Sequence, residues 1–494
     1  MLSPISQKNK SLSTFPYPEE VLEVIKKLSE KGFQAFLVGG CVRDILMGKT
    51  PKDWDICTSA IPSEIQSLFP DSFYENDFGT VGVKSDLGVI EVTPFRTEGE
   101  YKDGRRPESV SFGTSIQEDL QRRDFTINAI ALNPVSHETI DPFGGEKDIK
   151  DKIIRAVGVP KDRFSEDGLR IMRLFRFASQ LNFSIDYSTL QAAIDTKDIL
   201  GRISKERIRD EFTKLLMSQN PSIGFMYMEK TGTLSFITPH IAEAVGVEQN
   251  GIHAYHVFEH LVRSLQHAAD KNMSLELRLS ALLHDIGKPA TRKWSKEKKD
   301  YTFYGHEVVG AKMAKKILTD LKFSHETIEI VSKLVRWHMF FSDTEQITHS
   351  AVRRMIANVG KDHIWDLINL RMCDRIGTGR PKEDPYRLRK YMSLIEEVMA
   401  DPTDVSMLQL NGNDIISELH VKPGPILGKT LHILLDMCLE NPKLNNKESL
   451  LAEAKNILTK TEEEIDTLYL KALQTKQEEN EEKIRKIRQN YKVS

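Results

Sequence analysis

The chain has 494 residues, 39% of them hydrophobic and 29% charged, with a net charge of −3 and a sequence pI near 6.6. The length exceeds one ordinary core and predicts several domains, while the near-neutral balance excludes a globally basic nucleic-acid binder, so any RNA contact must come from a local surface. Four scattered cysteines (Cys41, Cys57, Cys373, Cys438) form no C-x-x-C pair, which argues against a disulfide framework or a cysteine zinc site and fits a reducing cytoplasm. The first twenty residues lack an apolar core region and no stretch is long enough to span a membrane, so a soluble, intracellular protein is expected.

Residues 1–16 read as a disordered or loosely packed lead. Helical spacing runs from Glu19 to Lys31 and stops at Gly32. The apolar run Ala35 to Val38 halts at Gly39-Gly40. An amphipathic segment with Arg43 in its first turn follows, and then Asp53-Trp54-Asp55. On a strand the two aspartates would project from one side. Carboxylates that close repel unless a cation lies between them, and hard oxygen ligands suit Mg²⁺. The paired glycines leave room for a backbone to approach a triphosphate, and a helix start offers free N–H groups. Separately, these features read as a turn and a solvated strand end. Together, in this order, they point to phosphate and metal.

A short helix is expected over Ile61 to Phe69, with strands at Thr80 to Ser85 and Val89 to Thr93, giving a mixed sheet with helices on one side. Glu91 is either an auxiliary carboxylate or a solvent-facing strand residue. Residues 97–113 are polar and glycine-rich, a long loop of the kind that is usually functional or disordered. In Ile116 to Asn133, Arg122 and Arg123 precede Asp124 and an apolar run of helical character; by themselves such charges read as a solvated face. Residues 141–145 (DPFGG) form a turn by composition. Ser165 to Ala178 predicts an amphipathic helix, with Asp167 in an acidic first turn and Arg170, Arg173 and Arg176 along an exposed side. A carboxylate and a guanidinium one turn apart can also accept from an exocyclic amine and donate to ring acceptors. Residues 185–245 read as a helical body, where Arg202, Lys205, Arg207 and Arg209 form a solvated face or touch RNA phosphates.

From Gly251 the histidines crowd: His253, His256 and His260 near one helical face, then His284-Asp285, His306, His338 and Asp374. Single helical histidines are ordinary, but this set points to a metal site of imidazole and carboxylate, better suited to Ni²⁺, Mn²⁺, Fe or Zn²⁺ than to Ca²⁺. A linker at 377–390 and further amphipathic helices follow. The last thirty residues read as an alternating-charge helix with little apolar content.

The motifs GGCVRD (39–44), DWDI (53–56), RRDFTIN (122–128) and EDGLR (166–170) together resemble the class II tRNA nucleotidyltransferases and bacterial poly(A) polymerases. The H…HD…D series resembles an HD domain, a metal-dependent phosphohydrolase fold. The resemblance implies an α+β fold: a nucleotidyltransferase head with a mixed, DNA polymerase β-like sheet, followed by an all-helical neck, body, HD domain and tail. The implied domains are 20–145 (head), 146–245 (neck and body), 250–380 (HD) and 385–494 (tail). It implies template-independent addition of CCA to a tRNA 3′ end from CTP and ATP, with Asp53 and Asp55 holding Mg²⁺. Gly39, Gly40, Arg43, Arg123, Arg173 and Arg176 would bind the nucleotide, and Asp167 and Arg170 would choose the base. Loop 97–113 corresponds to a flexible segment needed for the final A, and 141–145 to a head–neck hinge. In the HD domain, His260, His284, Asp285 and Asp374 would hold one metal, such as Ni²⁺ or Mn²⁺, with His306 and His338 serving a second. The alternatives are a poly(A) polymerase, an HD phosphohydrolase with an inactive head, and a protein uridylyltransferase, which lacks the RRDFTIN and EDGLR motifs.

Overall fold

The computed structural model describes residues 6–8, 12–74, 79–98, 110–112, 115–251, 254–340 and 347–475. The chain divides into two compact units, Met1–Pro239 and His240–Ser494.

The first unit begins with an eight-stranded sheet in the order β1-β10-β9-β2-β3-β6-β5-β4. Its strands are β1 (Ser6–Lys8), β2 (Ala35–Val38), β3 (Asp55–Thr58), β4 (Ser72–Tyr74), β5 (Val81–Ser85), β6 (Gly88–Pro94), β9 (Ala131–Asn133) and β10 (Glu138–Ile140). The β3–β6 pair is parallel and the other described pairs are antiparallel, so the sheet is mixed, as expected. β2 is buried along its whole length, which explains why Ala-Phe-Leu-Val reads as a continuous apolar run rather than an alternating one. Helices α1 (Glu19–Glu30), α2 (Gly40–Leu46), α3 (Pro62–Leu68) and α4 (Ile116–Gln121) accompany it. The lead is not uniformly loose: Ser6–Lys8 extends the sheet edge against β10, and Leu12 is buried.

Loop 97–113 also changes at its ends. β7 (Arg96–Glu98) pairs with β8 (Val110–Phe112), and residues 99–109 lie outside the described part of the chain. The apolar run after Arg123 is not a helix. It makes a single 3₁₀ turn at Thr126–Asn128 and then becomes β9, because Ala131 and Leu132 pair with Val38 and Leu37 on one side and β10 on the other. Tertiary pairing overrides the local pattern here.

Helices α5 (Gly145–Asp151), α6 (Pro160–Glu166), α7 (Leu169–Leu181), α8 (Tyr187–Thr196), α9 (Lys205–Leu216), α10 (Pro221–Thr231) and the single turn α11 (Leu234–Ile237) complete the unit, with the short pair β11 (Ile153–Ile154) and β12 (Ser184–Ile185). Asp141 forms the expected turn by accepting from the Gly145 and Glu146 amides. The predicted helix 165–178 is in fact two helices broken at Asp167-Gly168. α7 is buried on nearly every side, Arg170 and Arg176 included, because α6, α9 and α10 all pack on it.

Among its described residues, the second unit is helical apart from one hairpin. α12 (Pro239–Ala242) is followed by α13 (Val257–Asp270), α14 (Leu275–Leu283), α15 (Lys288–Thr291), the hairpin β13 (Lys293–Ser295) and β14 (Asp300–Thr302), α16 (His306–Asp320), α17 (His325–Trp337), α18 (His349–Val359) and α19 (Ile364–Gly377). α20 (Tyr386–Val398) starts inside the predicted linker. Its Leu388, Tyr391, Ile395 and Val398 pack in one core with Ala281, Ile356, Leu367 and Cys373. A separate core, including Ile415, Leu434, Cys438 and Ala454, joins α21 (Gly412–Leu419), α22 (Pro425–Glu440) and α23 (Lys447–Leu458) with α24 (Glu462–Thr475). The predicted charged helix beyond Thr475 lies outside the described residues. Among the described residues, no helix is long and apolar enough to cross a membrane.

Candidate functional site

In the first unit the site is organised at the end of β2. Gly39 turns the chain with φ +75°, a conformation that disfavours side chains. A Cβ there would stand 3.1 Å from Arg123 Nη1 and 3.4 Å from Asp55 Oδ2, and one on Gly40 would stand 3.6 Å from Arg43 Nη2. Five residues named from sequence (Gly39, Gly40, Arg43, Asp55 and Arg123) therefore meet at one point. Asp53 is exposed and sits just ahead of β3 rather than within it, while Trp54 between the aspartates is buried. Asp55 opens β3 directly beside Glu91 in parallel register, so a third carboxylate flanks the pair.

The arginines are held by acids that the sequence reading left without a role. Asp119, fully buried, accepts from Arg122 at 2.7 Å and Arg123 at 3.3 Å. Burial alone would raise its pKa, but these two guanidiniums bring it below the usual range. Asp124 accepts from Arg173 at 2.6 Å and from Asn128, which in turn accepts from Arg43 at 2.9 Å. Burial opposes ionisation of Asp124, yet the Arg173 charge and hydrogen bond carry its pKa down to about 2. Arg176 does not lie on an exposed side. It is buried, donates to Glu211 at 2.6 Å, and has its guanidinium 4.0 Å from the Phe177 ring. Arg43 and Arg173 each lie 5.5 Å from the same ring, so Phe177 is a shared floor under three cations.

At the break between α6 and α7, Asp167 Oδ1 accepts from the Leu169 amide and Oδ2 from Arg207 at 2.9 Å. Arg170 donates to Glu166 at 2.6 Å and to the Arg122 carbonyl at 3.0 Å, tying the EDGLR and RRDFTIN segments together. Arg207 is therefore part of this cluster and not one of a row of RNA-facing cations. Its Nη1 is buried with no hydrogen-bond partner.

In the second unit two ligand groups share one carboxylate. His260 Nε2 and His284 Nε2 lie 2.9 Å apart, 3.1 Å and 3.4 Å from Asp285 Oδ2 and 3.5 Å and 3.6 Å from Asp374 Oδ1. On the other side, His306 Nε2 is 3.1 Å and His338 Nε2 3.4 Å from Asp285 Oδ1. All six side chains are buried. His284, His306 and His338 have Nδ1 at 2.7–2.9 Å from a backbone carbonyl three residues back. A carbonyl only accepts, so Nδ1 carries the proton and Nε2 is left as a bare donor atom facing inward. Asp285 Oδ1, His306 Nε2 and His338 Nε2 are buried without a hydrogen bond, which fits metal ligands better than a satisfied core. Lys288 Nζ lies 2.6 Å from Asp285 Oδ2 and donates to Gln249. Burial raises the Asp285 pKa less than Lys288 and the histidines lower it, and it is held well below the carboxylate range. His256 is exposed and stands outside the cluster, and His253 lies outside the described residues.

Three sequence families match in chain order: the Poly A polymerase head domain over residues 35–155, the probable RNA- and SrmB-binding site of polymerase A over 182–245, and the HD domain over 257–375. A CCA-adding enzyme of Lactobacillus delbrueckii subsp. bulgaricus is 47% identical over 214 residues, covering 43% of this chain and 54% of that relative. The chain thus spans about half the length of that relative. A CCA-adding enzyme of Limosilactobacillus reuteri is 34% identical over 90% of this chain and 97% of the relative. The chain belongs to the CCA-adding enzyme family.

The structure of the Bacillus stearothermophilus CCA-adding enzyme in complex with CTP is similar with a TM-score of 0.69 and 26% identity, covering 89% of this chain and 96% of that one. The nucleotidyltransferase head and the helical remainder agree with that likeness. Within this chain, sequence reasoning missed the structural roles of Asp119, Asn128, Phe177, Arg207 and Glu211. Asn128 lay within the RRDFTIN motif and Arg207 in the basic row, while Asp119, Phe177 and Glu211 carried only the signal of a charged or aromatic residue on a helical segment, which is also the mark of an ordinary surface or core position.

Proposed function

We propose that the chain builds or repairs the 3′-terminal CCA of tRNA, transferring CMP and then AMP from CTP and ATP to the RNA 3′-hydroxyl and releasing pyrophosphate, without a template. The observation that best supports this is the meeting of Asp55, Arg123 and Arg43 around the two glycines, where a side chain would block a phosphate. Asp53 and Asp55, with Glu91 beside them, are hard oxygen donors that suit Mg²⁺. Bound there, Mg²⁺ would make the 3′-hydroxyl a better nucleophile and neutralise the departing pyrophosphate. Arg43, Arg123 and Arg173 meet the triphosphate and sugar, while Arg176 supports them from beneath through Phe177. Asp167 and Arg170 read the amine and ring acceptors that C and A share, held in place by Arg207 and Glu166 so that protein stands in for a template. The working domains are 20–145, 146–245, 250–380 and 385–494, and the cytoplasm is where such a substrate is met.

The test is purified protein with a tRNA transcript lacking CCA. CTP alone should give CC, and ATP should then add one A. Asp55→Ala should abolish both. Extended A tailing on any RNA would favour a poly(A) polymerase, and no incorporation would leave an inactive head.

A second activity is favoured by the carboxylate shared between two histidine groups. Asp285 would bridge two transition metals, Ni²⁺ or Mn²⁺, one held with His260, His284 and Asp374 and the other with His306 and His338. Such metals supply an activated water for phosphoester hydrolysis. Metal-dependent release of nitrophenol from a nitrophenyl phosphate, lost in Asp285→Ala, tests it.

A further inference from the structure

Asp119 lies on the buried side of the glycine-and-arginine cluster, behind the groups proposed to meet metal and nucleotide. It sits on α4, whose start is fixed by a capping box. Ser115 Oγ accepts from the Glu118 amide at 3.3 Å, and the Glu118 carboxylate accepts from the Ser115 amide at 3.0 Å. Ile116 and Leu120, beside Asp119 on that helix, pack in an apolar core with Phe36, Cys57 and Phe95. A charge placed against such a core is costly, and a buried ion pair is often no more stabilising than well-packed apolar side chains. Stability alone gives no reason for an acid here.

The acid instead holds two arginines on separate oxygens. Arg122 occupies Oδ1 twice, donating from Nε at 3.0 Å and from Nη2 at 2.7 Å. Oδ2 accepts from Arg123 Nη2 at 3.3 Å. The other terminal nitrogen of Arg123, Nη1, faces the Gly39 turn. There Arg123 Nη1 and Asp55 Oδ2 lie 3.1 Å and 3.4 Å from one point, the place a Gly39 side chain would take. One guanidinium thus stands between a buried acid and a proposed metal ligand. Burial opposes its charge, but Asp119, Cys57 and Asp55 together raise its pKa above the usual value. Without the charge of Asp119, the pull of Asp55 on Arg123 is unopposed. The guanidinium then competes with a metal ion for the same carboxylate.

We propose that Asp119 is a positioning residue that holds Arg123 in balance between two acids, so that Mg²⁺ can take Asp55 while Arg123 stays beside the triphosphate. This rests on reading Asp53 and Asp55 as the Mg²⁺ ligands of a nucleotidyltransferase. A neutral side chain at position 119 weakens metal-dependent nucleotide binding without removing any group that touches metal or nucleotide.

The test is calorimetric binding of α,β-methylene CTP, a non-reacting analogue, to the full chain, in EDTA and in Mg²⁺, with no RNA present. The gain in affinity on adding Mg²⁺ should be about tenfold smaller in Asp119→Asn than in wild type, because an opposite charge at this range shifts the ionic equilibrium of a carboxylate by at least that factor. Asp119→Asn/Arg123→Gln removes the competing cation, so the gain should return towards the wild-type value even though overall affinity is low. An unchanged gain in Asp119→Asn would overturn the proposal. So would a loss that persists in the double variant, since Asp119 would then not act through Arg123. Asp119→Ser is the second neutral variant if circular dichroism shows Asp119→Asn unfolded. Failure of both to fold would make Asp119 a purely structural residue and overturn the proposal as well. If wild type itself gains no affinity from Mg²⁺, the reading of Asp53 and Asp55 as metal ligands falls, and the proposal with it.

Discussion

Arg207 Nη2 donates to Asp167 Oδ2 at 2.9 Å across 40 residues of sequence, joining the start of α9 to the break before α7. This bond fixes the carboxylate proposed to read the nucleobase. Removing it leaves the Leu169 amide on Oδ1 as the remaining hydrogen bond described for the Asp167 carboxylate. A hydrogen bond between charged partners contributes about 1.5–3 kcal/mol, so Arg207→Ala should lower kcat/KM for CTP by roughly ten- to a hundredfold. Discrimination against UTP and GTP should fall as well. Steady-state kinetics with all four nucleotides checks this, and unchanged selectivity would show that Asp167 is held by other contacts.

Gly39 tests the crowded turn. Gly39→Ala places a Cβ 3.1 Å from Arg123 Nη1 at a φ of +75°. Nucleotide incorporation should drop at least a hundredfold, as when a phosphate-facing backbone is displaced by about an ångström. Thermal unfolding of the first unit should move by only a few degrees. Wild-type activity would show that the backbone is not approached by the substrate.

Glu211 is the partner of the buried Arg176. Truncating one member of a buried pair leaves the other charge uncompensated, at a cost of about 3–5 kcal/mol. Glu211→Ala should therefore lower the urea midpoint of the first unit's transition sharply. Glu211→Gln, which keeps an acceptor, should do so less. Equal stability of all three proteins would place Arg176 in contact with solvent.

Asp124 supplies a pH dependence. Its folded pKa is depressed from 3.8 to about 2 by Arg173 and Asn128 acting against burial. The corresponding stability is complete above the unfolded value and is lost as pH falls from about 4 through about 2. One pKa unit corresponds to about 1.4 kcal/mol, so the term is about 2 kcal/mol. Asp124→Asn should flatten the acid limb of stability between pH 4 and 2, as followed by circular dichroism, and an unaltered slope would assign acid sensitivity to other carboxylates.

Metal content tests the shared carboxylate. Protein loaded with Mn²⁺ and then desalted should retain two ions per chain. His306→Ala should retain about one and Asp285→Ala close to none. One ion in both wild type and His306→Ala would mean that Asp285 does not bridge.

The sequence alone carried the order of the matched families and the local motifs that the structure brings together, because adjacent motifs travel with a short backbone. Gly39-Gly40, Asp53-x-Asp55, His284-Asp285 and Arg122-Arg123 are each local signals of turn, charge or donor type. Residues 126–133 misled for the same reason. Their apolar pattern is compatible with a helix, and only pairing of Ala131 and Leu132 with β2 and β10 makes them a strand. Tertiary structure alone decided what the arginines face. Arg176 looks exposed on an isolated helix, but α9 brings Glu211 against it from 35 residues away, and Phe177 turns out to underlie three guanidiniums. It also decided that one aspartate, Asp285, lies between two histidine groups contributed by α13, α14, α16 and the end of α17. A buried charge must find a partner in three dimensions, and the chain distance to that partner is set by helix packing, which residue spacing does not encode.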